Sequence, residues 1–177
     1  VGLDISSAML ESAAKHSDRL IQGNSQNLPF ADGTFDLAFC RSLLHHLPEP
    51  EKAVEEMHRV LRPGGELVLV DPNTSILSWL PRKLFYHGDH FSDDHENMSR
   101  AILEDLLEGK FVVEKCQYFG YLGYPLFGFP DLVDFSKWIP LKSVTYPAIM
   151  AFDGVLSAIP LVRAIGWAIL IKARRAP

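Results

Sequence analysis

Phe35-Asp36-Leu37-Ala38-Phe39-Cys40-Arg41-Ser42-Leu43-Leu44-His45-His46-Leu47 decides how the rest of this chain is read. Its first half is a short apolar run of β-formers, which predicts a buried strand of a parallel sheet. Gly33 just ahead of it supplies a turn. The apolar run stops at Cys40, Arg41 and Ser42, and a pair of histidines closes the stretch. In an open α/β sheet ligands sit beyond the carboxyl ends of the strands. Cys40 to Ser42 is therefore expected at the mouth of a crevice, with the other strands as its walls.

Upstream, Val1 to Leu3 reads as a short strand ending in the carboxylate of Asp4. Ser6 is a good N-cap for a helix from Ser7 to His16, which puts Met9, Leu10, Ala13 and Ala14 on one face. Leu20-Ile21 is a short strand closed by Gly23 and Asn24, and Ser25 to Thr34 is a loop anchored by Leu28 and Phe30. Downstream, Pro48-Glu49-Pro50-Glu51 starts a helix, with Ala53, Val54, Met57, Val60 and Leu61 at helical spacing. Pro63 is expected to stop that helix near Leu61, Gly64-Gly65 to turn, and Glu66 to Val70 to form a buried strand ending in Asp71-Pro72. The order strand, helix, strand, strand, helix, strand predicts parallel strands with helical crossovers.

Past Asp71 the pattern loosens. Helices are expected over Ile76–Tyr86 (broken by Pro81), Ser99–Leu107 with Gly109 as its C-cap, Asp131–Trp138 and Tyr146–Ala158. Strands are expected over Phe111–Tyr118 and Gly166–Lys172, the latter followed by a basic tail, Arg174-Arg175. His87 to Asn97 is a polar loop whose His87, Asp89, His90, Asp93, Asp94 and His95 match no metal-ligand spacing, so no metal site is expected. The aromatic run Tyr118 to Phe129 reads either as core or as a lid over an apolar acceptor pocket.

The 177 residues suffice for one domain with a full core, taken as residues 1–177. A net charge of −5 gives no general nucleic-acid footprint. Cys40 and Cys116 lie in apolar runs and read as reduced, buried thiols, which points to the cytoplasm. Asp153, Pro160 and Arg163 interrupt the greasy stretch Ala148–Ile171, so no transmembrane span is expected, while contact with a membrane surface stays open.

Three segments in this order and spacing resemble the class I S-adenosylmethionine-dependent methyltransferases, closest to the group that includes quinone and small-molecule methyltransferases. They are Val1-Gly2-Leu3-Asp4-Ile5-Ser6-Ser7-Ala8-Met9-Leu10, Leu28-Pro29-Phe30 through Phe35-Asp36-Leu37 to His45-His46, and Leu61-Arg62-Pro63-Gly64-Gly65-Glu66-Leu67. The resemblance covers Val1 to Pro72 well, the cofactor-side half. Residues 73–177, the acceptor and lid half, match by layout only.

The resemblance implies S-adenosyl-L-methionine as cofactor and a doubly wound, mostly parallel Rossmann-like sheet. In the intact parent that sheet has seven strands, the last antiparallel. At matching positions it implies that Asp4 accepts from the ribose hydroxyls and Ile5 packs on the adenine. Asn24 stands where the family usually has an aspartate for the adenine amino group, and Ser25 offers its backbone N–H to the ring. Cys40 and Arg41 face the methionine part, and His45 and His46 line the far side. If the acceptor must lose a proton, His46 is the first candidate base.

The family's first strand and Gly-rich turn are missing ahead of Val1, so an N-terminally incomplete chain is expected. That strand belongs between Val1–Leu3 and Phe35–Phe39. Without it, those two strands either expose unpaired edges or pair with each other. Poor cofactor binding and aggregation are the expected consequences. The expected activity is methyl transfer to a small, apolar acceptor. The alternatives are a non-catalytic methyltransferase-like scaffold and an NAD-binding dehydrogenase, in which an acid ending a second strand also binds ribose.

Overall fold

The computed structural model describes residues 1–73, 98–123, 137 and 139–177. The helices expected at Ile76–Tyr86 and Asp131–Trp138, the His- and Asp-rich loop and most of the aromatic run lie outside the described residues.

The chain forms a layered α/β fold whose sheet comes in two pieces. In the first piece β1 (Gly2–Asp4) pairs in parallel with β2 (Leu20–Gln22), joined by α1 (Ser7–Ala13). Ser6 caps α1 by accepting from the Met9 N–H at 3.4 Å. The helix stops one turn short of His16.

The second piece has the order β3-β4-β6-β5. β3 (Phe35–Arg41) runs parallel to β4 (Leu61–Pro72), linked by a 3₁₀ turn (Leu44–His46) and α2 (Pro50–Val60). α3 (Arg100–Leu107) leads into β5 (Phe111–Phe119), and α4 (Lys142–Ala158) with the short α5 (Pro160–Arg163) leads into β6 (Ala168–Arg175). β6 lies antiparallel between β4 and β5, which is the antiparallel last strand expected from the sequence.

Three boundaries differ from expectation. α2 gives way directly to β4 at Leu61, and Pro63-Gly64-Gly65 is absorbed as a bulge inside the strand. The register jumps from Phe35 opposite Leu61 to Leu37 opposite Glu66, and Gly64 takes φ +74°. Arg174-Arg175 is no tail: both residues belong to β6, and Arg174 bonds Glu114 and Glu66 across the sheet. Cys116 is half-buried rather than buried.

The core belongs to the four-stranded piece. Leu44, Val54, Leu61, Leu67, Leu103, Leu107, Ile169 and Ile171 are almost wholly excluded from water. Ahead of Cys40 no residue is buried. Polar ties instead hold the loop after β2 onto α2. Glu56 accepts from the Leu28 N–H at 2.6 Å, and Arg59 donates to the Leu28 and Phe30 carbonyls and to Asp32. The Glu56 carboxyl is held below its usual range, first by its hydrogen bond to Arg59.

Between the pieces, β1 and β3 face one another without pairing, across a cavity of about 300 Å³ lined by residues of both and by none of β2. Leu37 (55% exposed) and Phe39 (62%) stand out on β3 beside this gap. Of the two outcomes the sequence allowed, the two strands do not pair with each other, and among the described residues neither edge has another strand beside it. An unpaired, apolar strand edge is a template for association. Light scattering of the 177-residue chain is therefore expected to rise with concentration. Phe39→Lys, a charge on an exposed edge position, is expected to slow that rise while leaving the melt unchanged. Unchanged scattering with Phe39→Lys would place the self-association elsewhere.

His58 on α2 packs edge-on to Phe111, and its pKa is lowered, mainly by burial and then by the charges of Arg175 and Lys110. A lowered folded-state pKa means the unfolded chain binds the proton more readily. Stability is thus intact above the ordinary histidine pKa and falls as pH drops below it. Melting temperature is expected to fall between about pH 7 and pH 5, and His58→Gln to flatten that part of the profile.

Candidate functional site

The carboxyl ends of β1, β3 and β4 point to one side, and the residues singled out by sequence lie there. Asp4 ends β1, and its Oδ1 accepts from the Ser6 N–H at 2.8 Å, which leaves the other carboxylate oxygen for a ligand. The loop after β2 brings Ser25 alongside. Cys40 and Arg41 end β3. Asp4, Ser25, Cys40 and Arg41 all line the 300 Å³ cavity between the sheet pieces, together with Leu28, Phe30 and Leu43. Three chain segments far apart in sequence thus meet in one hollow, at the lower end of small-molecule site volumes.

Asn24, Ile5, His45 and His46 are not among the residues lining this cavity. Asn24 uses its side-chain oxygen in a local turn, accepting from the Gln26 N–H at 2.9 Å, and Ile5 is 69% exposed.

Ser42 follows β3 with φ +51°, a left-handed conformation costly for a residue with a Cβ. It is held by a 2.7 Å hydrogen bond from its N–H to the Val70 carbonyl on β4. Past it opens a second cavity of about 310 Å³, lined by Arg41, Ser42, Val70, Asp71, Pro72, Phe119 and Ala168. Arg41 and Ser42 belong to both cavities and form the wall between them.

Asp71 ends the buried part of β4 and is 1% exposed. Its Oδ1 lies 2.6 Å from His45 Nδ1, while its Oδ2 is buried without a partner. An ionised Asp71 accepts from Nδ1–H, so the basic nitrogen of the neutral ring is Nε2. The ring of His46 lies against that of His45, centroids 3.9 Å apart. Sequence reasoning gave His46 the catalytic place and His45 a cofactor contact; the carboxylate partner belongs to His45. It missed Asp71, whose only signal was an acid at the end of a buried strand. The Cys40 thiol is pushed far up, first by burial and then by the Asp71 charge, so it stays protonated and is no nucleophile. No group of metal-ligating side chains occurs among the described residues.

Residues 1–69 match a family model described as a methyltransferase domain. An uncharacterized methyltransferase, YcgJ, of Bacillus subtilis (strain 168) is 37% identical over 78 residues, covering 40% of this chain and 31% of that protein. The demethylmenaquinone methyltransferase of Desulfitobacterium hafniense (strain Y51) is 44% identical over 78 residues, again 40% of this chain and 31% of the relative. The chain thus spans about a third of the length of these relatives. A solved S-adenosylmethionine-dependent methyltransferase from Thermotoga maritima shares the fold, with a TM-score of 0.64 at 19% identity over 99% of this chain and 72% of its own.

Proposed function

The resemblance to class I S-adenosylmethionine-dependent methyltransferases stands on both sequence and fold, and from it we propose that this chain carries the methyl-transfer site of such an enzyme. The observation that carries the proposal is the pair of cavities meeting at Arg41 and Ser42. Methyl transfer needs donor and acceptor held side by side in a fixed orientation, and two cavities that share lining residues are neighbours of that kind.

The donor side is the cavity of Asp4, Ser25, Cys40 and Arg41. Its donor and acceptor set fits the adenosyl group: the remaining carboxylate oxygen of Asp4 for ribose hydroxyls and the backbone at Ser25 for the ring. Asn24 and Ile5 flank that cavity in sequence, and their roles toward adenine require a shift of their side chains. Bound S-adenosylmethionine supplies an electrophilic methyl carried on a sulfonium.

The acceptor side is the cavity of Val70, Pro72, Phe119 and Ala168, an apolar lining that suits a small, apolar acceptor. His45 does not line this cavity itself but is tied to it through Asp71, so it would take the proton of an acceptor O–H or N–H only where the bound acceptor reaches its ring. Asp71 fixes the ring and stabilises the imidazolium. His46 packs on that ring and orients it.

Part of the donor cavity's wall is the unpaired edge of β3, so a weak complex is expected. Competition decides between cofactors. Labelled S-adenosylhomocysteine is expected to be displaced by S-adenosylmethionine and not by NAD. Displacement by NAD would favour the dehydrogenase reading, and no retained label would favour the scaffold.

A further inference from the structure

We propose that α4 docks flat on an anionic lipid surface. From Ser143 to Val162 the only charged residue is Asp153. Asp153 is also the only side chain of α4 that is buried, 4% exposed, where it accepts from the backbone N–H of Leu122 at 2.8 Å and of Gly123 at 3.1 Å. The helix is therefore inverted: its carboxylate is tied into the protein and its apolar side chains face outward. Val144 is 65% exposed, Phe152 49% and Val155 61%, away from the Asp153 side of the helix, and Leu141 and Ile159 continue the patch at either end. A helix apolar all round is ordinarily covered.

Charge selects the cover. Lys142 and Arg163 bound the apolar stretch on either side, are exposed, and among the described residues make no ion pair with an acidic side chain. They stand out on a chain whose net charge is −5. In a two-fold dimer through this face, Lys142 would meet either Arg163 or Lys142 of the other copy, cation against cation. Anionic headgroups instead neutralise both while the apolar side chains enter the acyl boundary, the pattern of an in-plane helix. No described helix is long and apolar enough to cross a membrane, and Pro147 and Pro160 further limit this stretch to lying on the surface.

Vesicle flotation of the 177-residue chain tests the proposal, because aggregates do not float. The chain is expected to rise with vesicles of about two parts phosphatidylcholine to one part phosphatidylglycerol, and less with phosphatidylcholine alone. Added salt is expected to weaken the interaction. The combined variant Val144→Glu/Phe152→Glu/Val155→Glu changes exposed positions only. It is expected to stay at the bottom with its melt intact. Lys142→Gln/Arg163→Gln is expected to lose the preference for the anionic vesicles, by roughly fivefold per cation. This second variant keeps the test decisive should the first unfold. A chain that floats with neither vesicle, or variants that float like the parent, would overturn the proposal. So would a stable dimer that the first variant dissociates without any vesicle binding, which would show that a second copy covers the face.

Discussion

His45→Ala is expected to cost about 3 kcal/mol of stability, the largest effect of any single substitution near the site. The reason is Asp71. Its carboxylate is almost fully buried, one oxygen has no partner, and the other has His45. Removing the imidazole leaves a buried charge with nothing to hold it. Asp71→Asn on its own is expected to cost less, because a neutral amide is cheaper to bury than an unpaired carboxylate. In the double variant most of the His45→Ala loss is expected to return, and the coupling read from denaturant melts is the measurement. Additive losses would mean that the 2.6 Å contact carries no weight in solution.

Asp4→Asn is the second. It is expected to weaken binding of S-adenosylhomocysteine about thirtyfold, the value of roughly 2 kcal/mol for hydrogen bonds to a charged acceptor. The local fold is expected to survive, since an amide oxygen in place of Oδ1 still accepts from the Ser6 N–H. Calorimetric titration of both chains, with circular dichroism as the control for folding, reads the difference. Equal affinities would remove Asp4 from the site.

Much of the fold was legible in the chain. Helix starts at Ser6, Pro50 and Ser99 rest on local chemistry that needs no tertiary context: a capping hydroxyl or a proline in the first turn. Buried strands such as β4 and β6 show as apolar runs. The bulge at Pro63-Gly64-Gly65 was not legible, because proline and glycine signal a break without saying whether a strand resumes on the same side.

The site was legible in part, for a physical reason. Asp4, Cys40 and Arg41 sit at ends of strands and Ser25 in the loop that follows one, and strand ends of a parallel sheet converge wherever the alternation holds. The pairing of His45 with Asp71 joins residues 26 positions apart, one in the 3₁₀ turn after β3 and one at the end of β4. Only the register of β3 on β4 decides which of two adjacent histidines reaches the carboxylate. The sequence left membrane contact open for this greasy stretch, but which side of α4 faces outward stays hidden until Asp153 is seen to be the buried residue.

The central claim is that separate segments build one adenosyl-shaped hollow beside the end of β3. Backbone amide shifts measured by nuclear magnetic resonance during titration with S-adenosylhomocysteine test it most directly. The amides of Asp4, Ser25 and Arg41 to Leu43 are expected to move together along one binding curve, with those of β5 and α4 unmoved. Shifts confined to one of these segments, or found only elsewhere in the chain, would contradict it.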